Sequence, residues 1–328
     1  VKIKYAAFTA QGRRLAETLR DALGGEIRAD GIPIRQWTAE NFAGADALVF
    51  VGAAGIAVRA IAPYVKSKAE DPAVVVIDEC GQFAIPILSG HLGGANDLAR
   101  EIARICGAQP VITTATDANG VFAVDEWAKR QGCVVTNPEK IKALSGKLLA
   151  GGTVSVRSDW PIRGTIPAGV ELCRDGLPDV RVTLEKEETD ALVLVPRIAA
   201  MGIGCRRGTP PEAFEQALTE FLQEAGLWEQ AIVRAASIDL KRDEPGLLEF
   251  CARHSWPLAF YTADELKKAG DGFTGSGFVQ SVTGVDNVCE RSAVLVSGGP
   301  LVRKKWAKNG ITMALAARPF SPDWRWQP

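Results

Sequence analysis

The sequence predicts an α/β fold: two α/β domains with mostly parallel sheets, joined by a small strand-rich middle segment. Three features carry that expectation. Through residue 135, short β-branched apolar runs alternate with helix-period segments. From 136 to 195 the texture changes to short strands with many Gly and Pro, as in GGTVSVRSDWPIRGTIPAGVELCRDGLPDVRVTL. At Ala191 the alternation resumes. The expected units are therefore 1–135, 136–195 and 196–328.

Taken in order, IKYAAF (3–8) is a first strand, and Thr9 leads into a helix that Gly24-Gly25 stops near Leu23. ALVFVG (47–52) is a buried strand followed by a short helix in AAGIAVRAIAPYV. AVVVIDE (73–79) is a continuous β-branched run, the mark of a strand covered on both faces. Cys80-Gly81-Gln82 turns the chain into FAIPIL (83–88), where Pro86 places the strand near an edge. The next helix has apolar positions 95, 98, 102 and 105 and a stop at Gly107, and PVITT (110–114) is the next strand. In the last unit ALVLVPRIAAMGIGC supplies strands. Thr209-Pro210-Pro211-Glu212 reads as a capping box opening a helix to Ala225. Strand, loop, helix and strand follow through Tyr261, SAVLVSGG and ITMALAA read as closing strands, and RPFSPDWRWQP reads as irregular.

Composition narrows the function classes. The 328 residues suffice for two to three domains, and 47% are apolar. A net charge of −1 gives no global field for nucleic acid. Seven cysteines, none within twenty residues of another and none in a C-x-x-C pair, point to reduced cytoplasmic thiols rather than disulfides or zinc. VKIKYAAFTAQGRR reads as strand and turn, not as a signal sequence. No apolar run approaches the roughly 18 residues of a membrane span.

Chemistry is expected at three Gly-bearing turns between strand and helix: VGAAGIAVR (51–59), SGHLGGAND (89–97) and MGIGCRRGTP (201–210). Glycine admits close approach of a ligand, and free N–H groups at a helix start favour an anion. Such crevices lie at the carboxyl ends of parallel strands. A dinucleotide fingerprint is absent, because Arg207 takes the place of the last glycine after Gly202 and Gly204. An NAD-linked reaction is disfavoured accordingly, and no G-x-S-x-G elbow occurs. Of two histidines, His254 ends a helix, where a cation suits the dipole. His91 sits in the second glycine turn and is the candidate proton carrier. Glu79, ending the preceding strand, partners it if the 80–82 turn forms a tight hairpin. Arg59, Arg206, Arg207 and Lys241 suit carboxylate recognition, since no metal-binding carboxylate cluster accompanies them in sequence.

The stretches GIAVRAIAPYV, VVVIDECGQFAIPILSGHLGGANDLA and PVITTATD resemble the N-terminal domain of the cobalt-precorrin-5A hydrolases (CbiG) of anaerobic cobalamin biosynthesis. GIGCRRGTPPEAF, AASIDLKRDEPGLLEF, GVDNVCERSAVL and GITMALA resemble that family's C-terminal domain. The resemblance implies opening of a δ-lactone and release of C20 as acetaldehyde, giving cobalt-precorrin-5B. It implies a cobalt-corrinoid substrate that brings its own metal, with no separate cofactor and no protein metal ligands. His91 is then expected as the base, with Glu79 as a second proton acceptor and the N–H groups of Gly93 and Gly94 as oxyanion donors. Axial contact of His91 with the substrate's cobalt is the alternative. Substrate contacts are expected from Gly52, Gly55, Arg59, Gly90, Gly93, Gly94, Asn96, Gly202, Gly204, Arg206, Arg207 and Lys241. A corrinoid-binding or hand-over protein without chemistry is the second function class. Homo-oligomerisation and transient contact with neighbouring pathway enzymes stay open.

Overall fold

The computed structural model describes residues 1–67, 70–91 and 93–326. The first unit runs β1 (Ile3–Ala7), α1 (Ala10–Leu23), β2 (Glu26–Ile27), α2 (Ile34–Asn41), β3 (Ala47–Val51), α3 (Ala54–Ile61), β4 (Ala73–Ile77), β5 (Phe83–Leu88), α4 (Ala95–Cys106) and β6 (Gln109–Pro110). Its sheet has the order β2-β1-β3-β4-β5-β6. Thr9 caps α1 through its hydroxyl, which accepts from the Gly12 N–H. The β3 and β4 runs are buried along their whole length because helices cover both faces. Tyr5, Leu19, Val49 and Ile102 pack on one side, and Trp37, Phe50 and Ile61 on the other.

One strand breaks the parallel pattern. β5 runs antiparallel to β4, with Ile77 opposite Ala84 and Val74 opposite Leu88. Asp78 fixes the intervening turn by accepting from the N–H groups of Cys80, Gln82 and Phe83, and Gly81 supplies φ +70. β6 covers only Phe83 and Ala84, so Pro86 lies on the uncovered stretch of β5. The expected strand 110–114 is thus reduced to Gln109–Pro110. Pro110 has no N–H to extend the ladder, and after one more bond from Val111 to Ala84 the chain leaves the sheet.

Next come α5 (Ala115–Ala118), α6 (Val124–Arg130), β7 (Cys133–Val135), α7 (Ile141–Leu149), β8 (Val154–Ser158), β9 (Val170–Leu172), β10 (Val180–Val182) and β11 (Leu192–Pro196). They build a five-stranded sheet in the order β7-β11-β10-β8-β9, parallel except for β7. Residues 133–135, assigned by sequence to the first unit, pair here with β11. Phe122 and Trp127 pack in this sheet's core, as does Trp324 from the irregular tail. Trp324 stacks on Trp127 with ring centroids 5.2 Å apart, and Trp127 Nε1 donates to the Asp323 carbonyl.

The last unit runs β12 (Ala199–Cys205), α8 (Pro211–Ala225), β13 (Ile232–Ile238), α9 (Pro245–Arg253), β14 (Leu258–Tyr261), α10 (Ala263–Lys267), α11 (Gly277–Thr283), α12 (Cys289–Ser297), β15 (Leu301–Lys308) and β16 (Ile311–Ala317). Its order is β14-β13-β12-β16-β15, with the first three parallel and the hairpin β15–β16 antiparallel. Two expectations are corrected here. SAVLVSGG is not a strand: it belongs to α12, whose start is fixed by Asn287 Oδ1 accepting from the Glu290 N–H. A four-residue apolar run fits a buried helix as well as a strand. No capping box opens α8 either; its N-cap is Pro210, and the Thr209 hydroxyl donates to the Arg206 carbonyl instead. Pro211 does stand at the first helical position.

Candidate functional site

The antiparallel course of β5 decides where the second glycine turn lies. Glu79 follows β4 at the carboxyl ends of β3 and β4, whereas His91 follows β5 at the opposite edge of the sheet. A six-residue strand separates them by roughly 20 Å. Glu79 therefore does not partner His91; it accepts from the Thr9 hydroxyl at 2.6 Å and is exposed.

His91 instead stands among acids from two other elements. Its Nδ1 lies 3.1 Å from Asp125 Oδ2, and its Nε2 lies 2.9 Å from Asp117 Oδ2 and 3.6 Å from Glu126 Oε1. Asp117 comes from α5, and Asp125 and Glu126 open α6 of the middle unit. The cluster thus bridges the first and middle units. Asp117 is further held by Arg100 at 2.6 Å, by Asn96 at 3.1 Å and by the Thr114 hydroxyl.

Both ring nitrogens face carboxylates, so both must donate, and the ring is an imidazolium. Burial favours the neutral ring, but the hydrogen bonds to Asp125 and Asp117 and the charge of Glu126 outweigh it and push the pKa up to about 9. With both nitrogens engaged, His91 can accept a proton only after parting from Asp117 or Asp125. Burial works against ionised Asp117 too, yet Thr114, His91 and Arg100 hold it below the ordinary carboxylate range. Glu126 differs: burial raises its pKa more than His91 lowers it. Its Oε2 is sealed from solvent, with no hydrogen-bond partner among the described residues.

The turn itself closes inward. The N–H groups of Gly94, Ala95 and Asn96 donate to the carbonyls of His91, Ser89 and Gly90. The Gly94 N–H is thus spent and does not form the expected oxyanion donor. A Cβ on Gly90 would stand 2.8 Å from Asn96 Oδ1, and one on Gly93 2.4 Å from Ser89 Cβ. These glycines make room for the turn's own atoms, and buried Asn96 serves Asp117 and Thr114 rather than a ligand. Leu92 lies outside the described residues.

The first glycine turn stands at the far edge, after β3. Gly52 donates to the Ile77 carbonyl, and exposed Arg59 folds back to 3.6 Å from a Cβ position on Gly55. None of the three joins the His91 cluster.

The third turn opens onto a cleft of about 860 Å³ at the carboxyl ends of β12 and β13. Gly204, Arg206, Arg207 and Lys241 all line it. Gly202 does not: a Cβ there would stand 1.8 Å from the Cys289 carbonyl, so this glycine lets α12 cross β12 closely. A Cβ on Gly204 would stand 2.5 Å from Thr312 Oγ1, at the cleft floor. Lys305 and Lys308 from the β15–β16 hairpin bring the cations to five, and Leu240 and Val282, which also line the cleft, expose apolar surface (55% and 61%). Some of this charge is met: Lys241 pairs with Glu244 at 3.4 Å and Lys308 with Glu220 at 2.8 Å. Cys205 and Cys289 line the cleft as thiols, which burial pushes up to about 11 and about 12.

Comparison with known proteins follows the same division of the chain. Residues 36–117 match the family model "Cobalamin synthesis G N-terminal" and residues 199–316 match "Cobalamin synthesis G C-terminus". The cobalt-precorrin-5A hydrolase of Salmonella typhimurium is 38% identical over 291 residues, 82% of this chain and 81% of that protein. The cobalt-precorrin-5A hydrolase of Priestia megaterium is 33% identical over 297 residues, 83% of this chain and 79% of that protein. The chain belongs to the cobalt-precorrin-5A hydrolase family. A shorter relative, Protein CobE of a Sinorhizobium species, is 30% identical over 119 residues, 35% of this chain and 77% of its own length. His91 and Asp117 fall within the N-terminal family region, whereas Asp125 and Glu126 lie between the two matched regions.

Several residues of these sites carried no sequence signal. Asp117, Asp125 and Glu126 look like ordinary first-turn acids. Glu290 is fully buried beside the cleft-lining Cys289 and accepts from the Thr274 N–H and hydroxyl, from Asn287 and from the Lys305 N–H. It ties the hairpin strand β15 to α12. The GVDNVCE stretch held this information, but only the fold reveals what its Asn and Glu grip. His254 stands between Glu215 and Glu229, each at 2.9 Å, against the Trp256 ring.

Proposed function

We propose that this chain is a cobalt-precorrin-5A hydrolase, which adds water across a δ-lactone and then releases the C20 carbon with its methyl group as acetaldehyde. Water opens the ester to a carboxylate and an alcohol. The alcohol proton then leaves, a carbonyl forms, and the electron pair of the broken carbon–carbon bond passes into the conjugated macrocycle. The observation that carries this reading is family membership across four-fifths of the chain. The cleft fits it: Arg206, Arg207, Lys241, Lys305 and Lys308 are placed for several substrate carboxylates, and Leu240 and Val282 for a macrocycle face. In this reading the substrate brings its own cobalt, and no nucleotide or other organic cofactor is needed.

No helix among the described residues is long and apolar enough to cross a membrane. A reduced cytoplasmic setting and a substrate drawn from solution belong to the same proposal. The test is incubation of the chain with cobalt-precorrin-5A and chemical trapping of the aldehyde. One acetaldehyde per corrinoid is expected. A second reading, corrinoid binding or hand-over without chemistry, draws on one observation: residues 204–312 alone build the cleft. Stoichiometric binding of an unchanged corrinoid would favour it and overturn the hydrolase.

A further inference from the structure

We propose that His91 Nε2, Asp117 and Glu126 form a binding site for one divalent transition-metal ion of the zinc or cobalt(II) class. Each residue offers a ligand atom within 4.8 Å of the others. Nε2 stands 2.9 Å from Asp117 Oδ2 and 3.6 Å from Glu126 Oε1. Ligands placed about 2.0–2.2 Å from a tetrahedral or octahedral ion stand about 3.0–3.6 Å from one another, which the two His91 pairs already match, and the carboxylates of Asp117 and Glu126 close on the ion from within 4.8 Å.

Glu126 points independently to a ligand. Its residue is 6% exposed, its Oε2 has no hydrogen-bond partner among the described residues, and its Oε1 faces the His91 ring. A buried ionised carboxylate oxygen left without a partner is strongly unfavourable, and a proton or a bound cation relieves it. Asp125 adds a further sign. It takes the Nδ1 proton of His91 at 3.1 Å, the carboxylate–imidazole brace that turns the opposite nitrogen toward a metal. Arg100, Asn96 and Thr114 steady Asp117 in the same way.

On binding, the Nε2 proton leaves to solvent and the ion takes its place among the three ligands. One imidazole and two carboxylates suit zinc, manganese, iron(II) and cobalt(II) better than softer ions. Three protein ligands leave a position for water, the pattern of ions that activate water rather than only brace a fold. The site would also join the first and middle units through one ion. Its existence does not depend on the hydrolase reading.

The test is titration of the metal-stripped full-length chain with Zn²⁺ and Co²⁺, followed by calorimetry, by the visible spectrum of bound Co²⁺ and by thermal melting. One saturable site per chain and a raised Tm are expected. Glu126→Gln keeps the side-chain shape and is expected to weaken binding at least 100-fold, and Asp125→Asn about 10- to 100-fold. If His91→Ala does not fold, Glu126→Gln decides the matter. Absence of a saturable site would overturn the proposal. So would unchanged binding in a folded Glu126→Gln protein, or a Co²⁺ spectrum showing thiolate ligation.

Discussion

The turn at Ser89–Asp97 closes on itself and gathers buried charge, whereas the turn at Arg206–Pro210 opens onto a cleft and presents charge to solvent. Both are glycine-bearing connections from strand to helix. The difference lies in what surrounds them. The first is packed between two units, and its His91 ring and its Gly94, Ala95 and Asn96 N–H groups are answered by the chain. The second stands at the free carboxyl edge of parallel strands, where the chain leaves space. A glycine-rich turn is therefore no sign of a ligand until its neighbours are known. Gly90 and Gly93 make room for Asn96 and Ser89, and Gly202 makes room for a helix.

This contrast predicts different responses to substitution. The largest effect is expected at the closed turn. His91→Ala leaves Asp117, Asp125 and Glu126 facing one another without their cation and should cost about 3–5 kcal/mol of stability, measured by urea unfolding. A variant as stable as the parent would mean that the cluster is not the closed ion network described. Next comes Gly202→Ala, where the new methyl meets the Cys289 carbonyl; displacing α12 should cost about 1–3 kcal/mol and loosen the cleft wall.

At the open turn the effect should move from stability to binding. Arg206→Ala combined with Arg207→Ala removes two exposed cations and should leave the unfolding midpoint nearly unchanged. It should raise KM for the corrinoid about tenfold, or about 1.4 kcal/mol, and flatten its dependence on salt. An equal loss of stability would erase the distinction between the regions. The smallest effect belongs to Glu79→Gln. With only the Thr9 hydroxyl as its side-chain partner, it should change turnover less than about twofold and leave stability within about 0.5 kcal/mol.

Much of the fold was legible because local signals agreed with the tertiary outcome. Thr9 caps α1, the β-branched run at 73–77 is buried on both faces, and Gly107 ends α4 in a left-handed conformation. The direction of β5 was less so. A tight turn at 80–82 was legible, but its consequence, that His91 and Glu79 end at opposite edges, needed the sheet order. At the site, Gly204, Arg206, Arg207 and Lys241 were readable as a cationic group near glycine, and the cleft gathers all four. The partners of His91 were not readable. They lie 26 and 34 residues away on short helices, and no periodicity couples a histidine in one turn to acids in another.

The α6 helix has one more consequence. It carries Asp125 and Glu126 toward His91, and on its other side Trp127 is locked beneath Trp324, with its indole N–H bound 196 residues along the chain at Asp323. During synthesis, that distant segment leaves the ribosome long after the helix it covers. The first sheet can form early, whereas Trp127 gains its Trp324 and Asp323 contacts only once residues 323 and 324 have emerged.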